Sequence, residues 1–299
     1  MRTPRWLPVG RGLWLASLWL ASLLLASSSC GRSSAFLLTE AAEAAEAAET
    51  APELNGDPIV DGCSKVDYLF VIDNSESMDA YHRRVVQNFS TFVDGVSRSQ
   101  DSLESLHVGI VTTDAYVGNA ERCNGLGDLV THTAGTHSSE ENCGPFAEGY
   151  RFMTAEDDLA QTFACAAQVG TDGSGDELPL NALAYALHED RLAADGCNAG
   201  FLRDDALLVV VIVTDEDDDT AVDFAYSRAV EAKHGYEDNI VVVALVIPPP
   251  GYSEDTPHRH HNVLAFAESF EHSFVGAVYD EDYGPTFEAA LDIVQNACG

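Results

Sequence analysis

From residue 66 onward, apolar runs alternate with stretches whose apolar residues recur every three or four positions. The first run, Tyr68-Leu69-Phe70-Val71-Ile72, predicts a buried strand over about 66–73. Val85, Val86, Phe89, Phe92, Val93 and Val96 then share one face of a helix predicted over 79–97. A second strand is expected at 107–113, ending in Asp114. Residues 115–152 are irregular, rich in glycine and cysteine-bearing, with room for a short antiparallel edge strand near 128–132 or 150–153. Thr154, followed by Glu156 and Asp157, reads as a helix N-cap with acids in the first turn and predicts a helix to about 168. Beyond it lie a helix over 178–194, a strand over 206–214 and a helix over 220–234 stopped by Gly235. A strand over 239–247 ends in three prolines, a helix follows near 258–271, and a strand at 274–279 leads to a closing helix over 285–298.

The strands at 206–214 and 239–247 are nearly all aliphatic, as strands covered on both faces are. Alternation of strands and helices predicts an α/β fold, a doubly wound and mostly parallel sheet with helices on both faces. Ligands in such sheets bind at the carboxyl ends of the strands, where strand order reverses. Two polar loops stand there. Asp73-Asn74-Ser75-Glu76-Ser77 follows the first strand, and Asp215-Glu216-Asp217-Asp218-Asp219 follows the fourth. Carboxylates and hydroxyls are hard oxygen donors, the kind Mg²⁺ or Mn²⁺ prefers, and the two loops together predict one shared metal site. The plainer reading of Ser77 is an N-cap for the helix from 79. Glu216 to Asp219 read as a solvated acidic loop or an outer ring around the site, and Asp114 as a turn residue. His258-Arg259-His260-His261 is a separate candidate for a transition metal.

The N-terminal region is organised differently. Arg2, Arg5 and Arg11 precede an apolar stretch over 13–26, too short to span a bilayer comfortably and typical of an export signal over 1–29. Ala26-Ser27-Ser28-Ser29-Cys30 resembles a bacterial lipoprotein signal in which Cys30 is lipidated, although Ser27 stands where an aliphatic residue is usual. The expectation is an exported protein, anchored to the cell envelope through Cys30, or secreted after ordinary cleavage. Residues 30–60 read as a tether, because Glu40, Glu43, Glu46 and Glu49 recur with a period of three that leaves no stable apolar face. One domain is expected over 61–299.

All 49 acids follow Cys30, whereas three of the 15 Lys and Arg precede it, so the exported chain carries 12 bases against 49 acids, a net −37. Nucleic acid and anionic membrane surfaces are therefore poor partners, and contact with a membrane is expected only through lipid on Cys30. Lys65 and Lys233 are the only lysines. Six cysteines remain beyond Cys30, an even number that favours three disulfides in an exported chain. The preferred pairs are Cys63–Cys298, Cys123–Cys143 and Cys165–Cys197, among 15 arrangements that six cysteines allow.

Asp73-x-Ser75-x-Ser77 after the first strand and Val213-Thr214-Asp215 after the fourth, within six alternating strands, resemble the von Willebrand factor type A domain over about 61–299. The resemblance implies strand order 3-2-1-4-5-6, an antiparallel third strand at the edge and a metal-ion-dependent adhesion site on the upper rim. It implies that Ser75 and Ser77 coordinate the ion through their hydroxyls, and that Asp73 and Asp215 bind it directly or through water. The family also uses a threonine from the loop before the central helix. Counting back from Ala182-Leu183, Glu177 falls at that position, with Thr171 and Ser174 as the other candidates. An acid there would make the site more negative, favouring Ca²⁺ or Mn²⁺ or weakening its affinity for an acidic partner. The implied function is binding and not catalysis: a monomeric domain holds Mg²⁺ (or Mn²⁺ or Ca²⁺), and a protein partner's Asp or Glu completes the ion's shell.

Two other readings compete. A phosphatase of the Asp-nucleophile type would also place Asp73 at a strand end, but it needs a second Asp where Ser75 stands and a later lysine. No Gly-x-Ser-x-Gly elbow, phosphate-binding loop or His-Glu-x-x-His is present. A Ca²⁺-loaded structural surface protein would use its acids diffusely.

Overall fold

The computed structural model describes residues 64–99, 104–248 and 261–298. The expected signal, Cys30, the tether and most of the His258–His261 run lie outside these residues. Eight residues, Lys65–Ile72, form β1, and a single 3₁₀ turn at Glu76–Met78 leads into α1, Asp79–Ser99. The remaining elements are β2 (Ser105–Thr112), β3 (Met153–Thr154), α2 (Leu159–Ala166), α3 (Pro179–Ala186), α4 (Glu189–Leu192) and β4 (Leu207–Val213). After them come α5 (Val222–Ala232), β5 (Ile240–Val246), α6 (Asn262–Glu268), β6 (Ser273–Ala277) and α7 (Gly284–Ala297). The six strands lie in the order β3-β2-β1-β4-β5-β6. Every pairing is parallel except β2 with β3, where Val108 faces Met153. This is the expected doubly wound α/β sheet, with its antiparallel strand at the edge.

The two faces of the sheet divide the side chains of each strand by their alternation. Val66, Tyr68, Phe70 and Ile72 of β1 join Val209 and Val211 of β4 under α1, α2 and α7, against Val85, Phe89, Phe163 and Phe287. Leu69 and Val71 join Leu208, Val210 and Ile212 on the other face, against Leu180 and Leu183 of α3, Ala225 of α5 and Phe266 of α6. Every residue of β4 and β5 is buried, which explains their unbroken aliphatic sequences. Each such side chain contributes roughly 1.5–3 kcal/mol relative to exposure. Among the described residues no helix is long and apolar enough to cross a membrane.

Several local expectations are corrected. The edge strand is at 153–154, so Thr154 is a strand residue and the cap of α2 is Asp158, whose carboxylate accepts from Gln161 N at 3.2 Å. Asp157 instead ties down the turn between them, accepting from Thr154 N at 2.8 Å. The helix expected over 178–194 is two helices. His188 adopts extended backbone between them, and its Nδ1 accepts from Asp190 N at 3.2 Å, starting α4 afresh. Gly235 stops α5 as expected, with His234 and Gly235 both at positive φ.

The disulfides are Cys123–Cys197 and Cys143–Cys165, in place of the expected Cys123–Cys143 and Cys165–Cys197. Buried Asn198 explains the first. Its side chain accepts from Leu129 N at 2.9 Å and donates to Gly127 O at 2.8 Å, laying the 123–129 loop beside Cys197. The second follows from Ser139, whose backbone N donates to Gln168 O and whose hydroxyl donates to Cys165 O at 3.0 Å, holding the 139–143 loop on α2. Cys298 is disulfide-bonded, but Cys63 of the expected Cys63–Cys298 pair lies outside the described residues. These bridges mark a protein of an oxidising compartment.

At the amino-terminal ends of the strands a buried polar cluster replaces apolar packing. The Arg203 guanidinium grips Asp67, with Nε donating to Oδ1 at 2.8 Å. Lys233, almost fully buried, donates its three protons to the carbonyls of Arg203, Asp204 and Ala206. Nearby, His107 Nδ1 donates to Phe201 O at 2.7 Å, and burial pushes its imidazole down to about 4. An unfolded histidine takes a proton near 6.5, so between pH 6.5 and 4 the unfolded chain binds the proton and the folded one does not. The stability contributed by neutral His107 is therefore complete above pH 6.5 and lost as pH falls toward 4. Urea unfolding at pH 7.5 and pH 5 should show a loss on the order of 2 kcal/mol that is absent from His107→Gln, and equal losses in both proteins would refute the assignment.

Candidate metal centre at the carboxyl ends of the strands

Strand register assembles the site. Ile72 is level with Thr112 of β2 and Val213 of β4, so residues 73, 113 and 214 emerge side by side. Asp73 N extends the ladder by donating to Val213 O at 3.0 Å. Its carboxylate, fully buried, accepts from Ser75 N at 2.8 Å through Oδ1 and from the Thr214 hydroxyl at 2.6 Å through Oδ2. The buried His82 ring reaches the Asp73 carbonyl at 2.6 Å from beneath. Asp73 is thus fixed from both loops and from α1.

Above it, the turn at Glu76–Met78 brings Ser77 across the rim. Its hydroxyl donates to Asp215 Oδ1 at 2.9 Å and lies 3.2 Å from the Ser75 hydroxyl. Ser77 therefore spends its hydroxyl on the opposite loop, not on capping α1. The structure brings Asp73, Ser75, Ser77 and Asp215 together, with Asp73 and Ser75 buried and Ser77 exposed.

Glu177 closes the site on a third side. It is 3% exposed, and the Thr113 hydroxyl donates to its Oε2. Its Oε1 is buried with no hydrogen-bond partner among the described residues. Burial raises the Glu177 pKa, and the Asp73 charge raises it further, with Asp114 and Glu216 adding to it. Burial likewise raises Asp73, against the pull of its hydrogen bonds from Thr214 and Ser75. The other two candidates in that loop are engaged elsewhere. The Thr171 hydroxyl donates to Thr136 O at 3.3 Å, and the Ser174 hydroxyl accepts from Asp176 N at 3.0 Å.

Residues outside the motifs hold this arrangement. Asn74 donates to Asp114 at 3.1 Å, and Asp114 also accepts from Ser174 N at 2.9 Å, so Asp114 ties two loops together and is more than a turn residue. Gly173 N donates to Asn74 O at 2.9 Å, and a Cβ at Gly173 would meet Asn74 at 2.5 Å. The available signal was a repeat: Thr113-Asp114 follows β2 as Thr214-Asp215 follows β4. The acidic loop is also not simply solvated. Asp217 accepts from Asn262 N and Val263 N at 3.1 Å, capping α6. Asp218, 1% exposed, accepts from Leu180 N at 2.8 Å, capping α3. Helix amino ends attract carboxylates, which draws both acids inward.

Among the described residues no three His, Cys, Asp or Glu groups gather as a metal cluster by themselves. Any ion here would draw on hydroxyls as well as carboxylates. The donor set fits a hard divalent cation on two counts: every side chain offered is an oxygen ligand, and Glu177 Oε1 is a buried acceptor awaiting a partner.

An open sheet of order 3-2-1-4-5-6 with an antiparallel edge strand is the arrangement that the resemblance to the von Willebrand factor type A domain implies, and a hydroxyl- and carboxylate-lined rim stands over β1 and β4. No family model matches the chain, and no curated protein matches it. Solved structures of proximal thread matrix protein 1 from the mussel byssus resemble it. One crystal form is 12% identical, with a TM-score of 0.44 over 79% of this chain and 50% of that one. Another is 16% identical, with a TM-score of 0.42 over 80% and 47%. A third, with zinc occupying the metal-ion-dependent adhesion site motif of that protein, is 12% identical, with a TM-score of 0.44 over 79% and 49%. This chain spans about half the length of those structures, and likeness this loose bears on neither its site nor its activity.

The capping role of Asp218 is open to test. Asp218→Ala should lower the unfolding free energy by about 1–2 kcal/mol in urea, since three backbone N–H groups, those of Leu180, Asn181 and Thr220, lose a buried carboxylate acceptor. A change below about 0.3 kcal/mol would contradict it.

Proposed function

We propose that the domain binds a divalent cation, Mg²⁺ or alternatively Mn²⁺ or Ca²⁺, through Asp73, Ser75, Ser77 and Asp215, with Glu177 as the ligand from the third loop. The observation that carries the reading is the Ser77–Asp215 hydrogen bond over a buried Asp73, which brings two loops 138 residues apart into one oxygen-lined site. When bound, the cation supplies Lewis acidity toward an oxygen of an incoming group. The chain's own residues hold Asp73 rigid, keep Ser75 below the surface and leave Ser77 toward solvent. A protein partner offering an Asp or Glu carboxylate is captured there, and no turnover occurs. The domain works as a monomer tethered to the cell envelope through lipid on Cys30.

The rival enzyme reading needs a lysine near Asp73. Lys65 begins β1 and pairs with Asp205, and Lys233 is held by carbonyls at the opposite ends of the strands. Both therefore lie away from the rim. We expect metal-dependent hydrolysis of phosphoesters to be undetectable.

Thermal unfolding in Mn²⁺ against chelator tests the site. An ion at 100 times its Kd adds about 2.7 kcal/mol, and so about 5–10 °C in a domain of this size. Asp73→Ala should lose the shift. Glu177→Gln should be more stable than the parent in chelator, because it removes a buried repulsion from Asp73, and should gain less from Mn²⁺. An unchanged shift in Asp73→Ala would point to diffuse cation uptake by the acidic surface and end this reading.

A further inference from the structure

The sheet has two edge strands. β3 offers two residues, whereas β6 offers five, Ser273-Phe274-Val275-Gly276-Ala277, and stands two strands beyond β4. The ladder fixes which backbone groups of β6 face outward. His272 O accepts from Val242 N and Val278 N donates to Val246 O, both at 2.9 Å, so the even-numbered residues from 272 to 278 turn their polar groups toward β5. Ser273, Val275 and Ala277 turn theirs away. The Ala277 carbonyl is met by Asp280 N at 3.1 Å. Among the described residues, Val275 N–H and C=O, Ser273 C=O and Ala277 N–H meet no partner. Edge strands are commonly blunted by lysine, proline or a bulge, and β6 carries none of them.

The side chains beside these groups are apolar and half-buried. Phe274 packs on the core under α1 and α7, and Val275 on the core of the other face. Each leaves apolar surface on its side of the sheet that a neighbouring strand would cover.

Charge selects what that strand can be. Glu268 and Glu271 precede β6, Asp280, Glu281 and Asp282 follow it, and all are exposed. None of them has an ion-pair partner among the described residues. Arg84 reaches this corner from α1, but it lies 3.5 Å from Val278 O and over the Tyr81 ring. Two copies joined edge to edge in antiparallel fashion would set Glu271 of one against Asp280, Glu281 and Asp282 of the other. The chain's own stretch over 40–49 meets the same repulsion, through Glu40, Glu43, Glu46 and Glu49.

We propose that the outer edge of β6 receives an extended segment of a second protein as a further strand of the sheet, with apolar side chains beside Phe274 and Val275 and a lysine or arginine near each end. The backbone of Ser273, Val275 and Ala277 pairs with it, and the flanking acids select the basic ends. The site needs no ion, so it stands or falls apart from the metal centre.

The probe is a randomised nonapeptide library displayed on phage and panned on the full exported chain in chelator. Enriched sequences should alternate β-branched or aromatic residues with others and carry Lys or Arg near both ends. With a synthetic enriched peptide bound, hydrogen exchange of the Val275 and Ala277 amides should slow at least tenfold, and its Kd should not change with Mn²⁺. Methylating alternate backbone nitrogens of the peptide should weaken binding about tenfold. So should Val275→Pro, which removes an outward N–H and leaves the pairing with β5 intact. The methylated peptide tests the same bonds on the parent protein, whatever the variant does to folding. Exchange that slows elsewhere but not at Val275 and Ala277 would overturn the inference. No enrichment, enrichment without basic ends, binding that survives methylation, or capture that requires Mn²⁺ would each overturn it too. Dimerisation of the parent that protects these two amides would make a second copy the occupant and refute the proposed partner.

Discussion

The rim depends on how Asp73 is held. Its amide continues the β1–β4 ladder, and its two carboxylate oxygens are divided between the loop that follows β1 and the threonine that ends β4. One residue therefore belongs to the backbone scaffold and to the polar floor of the cleft at once. A carboxylate this deeply buried is costly unless its lone pairs are met, and here protein donors meet part of the demand. Glu177 stands close by with one oxygen satisfied and one not. Two buried acids sharing a site are tolerable in a fold whose β4 and β5 are packed throughout, because the apolar layers supply the surplus that the rim consumes.

The strand arrangement was legible because burial on both faces leaves unbroken aliphatic runs, which no exposed segment among the described residues imitates. Asp73 and Asp215 were legible for a related reason: each stands within two residues of its strand's end, so parallel pairing had to bring the two loops side by side. What escaped was whatever depended on distant partners. Asp218 sits 38 residues beyond the backbone N–H it caps, and nothing local distinguishes it from the acids on either side of it. The cysteine pairing turned on Asn198 and Ser139, polar residues whose long-range hydrogen bonds leave no periodic trace. His188 divided a helix because its ring bonds its own backbone two residues on, a competition that apolar periodicity does not register.

The irregular segment from 115 to 152 departs most from a bare alternating sheet. It replaces regular structure with side-chain fastening: Asn119 alone bonds Cys123 O, Leu129 O and Thr131 N, and Arg151 adds a second donor to Leu129 O. Loops carry function most readily when a rigid scaffold positions them, and this one is stapled at two places, to α2 through Cys165 and to the turn after α4 through Cys197. A cavity beside the metal loop is formed largely by this segment, so its shape is set by polar fastening and disulfides, with little help from secondary structure.

The sequestration of Lys233 has a practical corollary. With its amine locked among carbonyls, Lys65 is the one lysine side chain that amine-directed coupling can reach, and it stands at the strand end remote from Asp73. A dye, bead or sensor surface attached there would leave the acidic cleft facing outward, giving an oriented preparation without engineering.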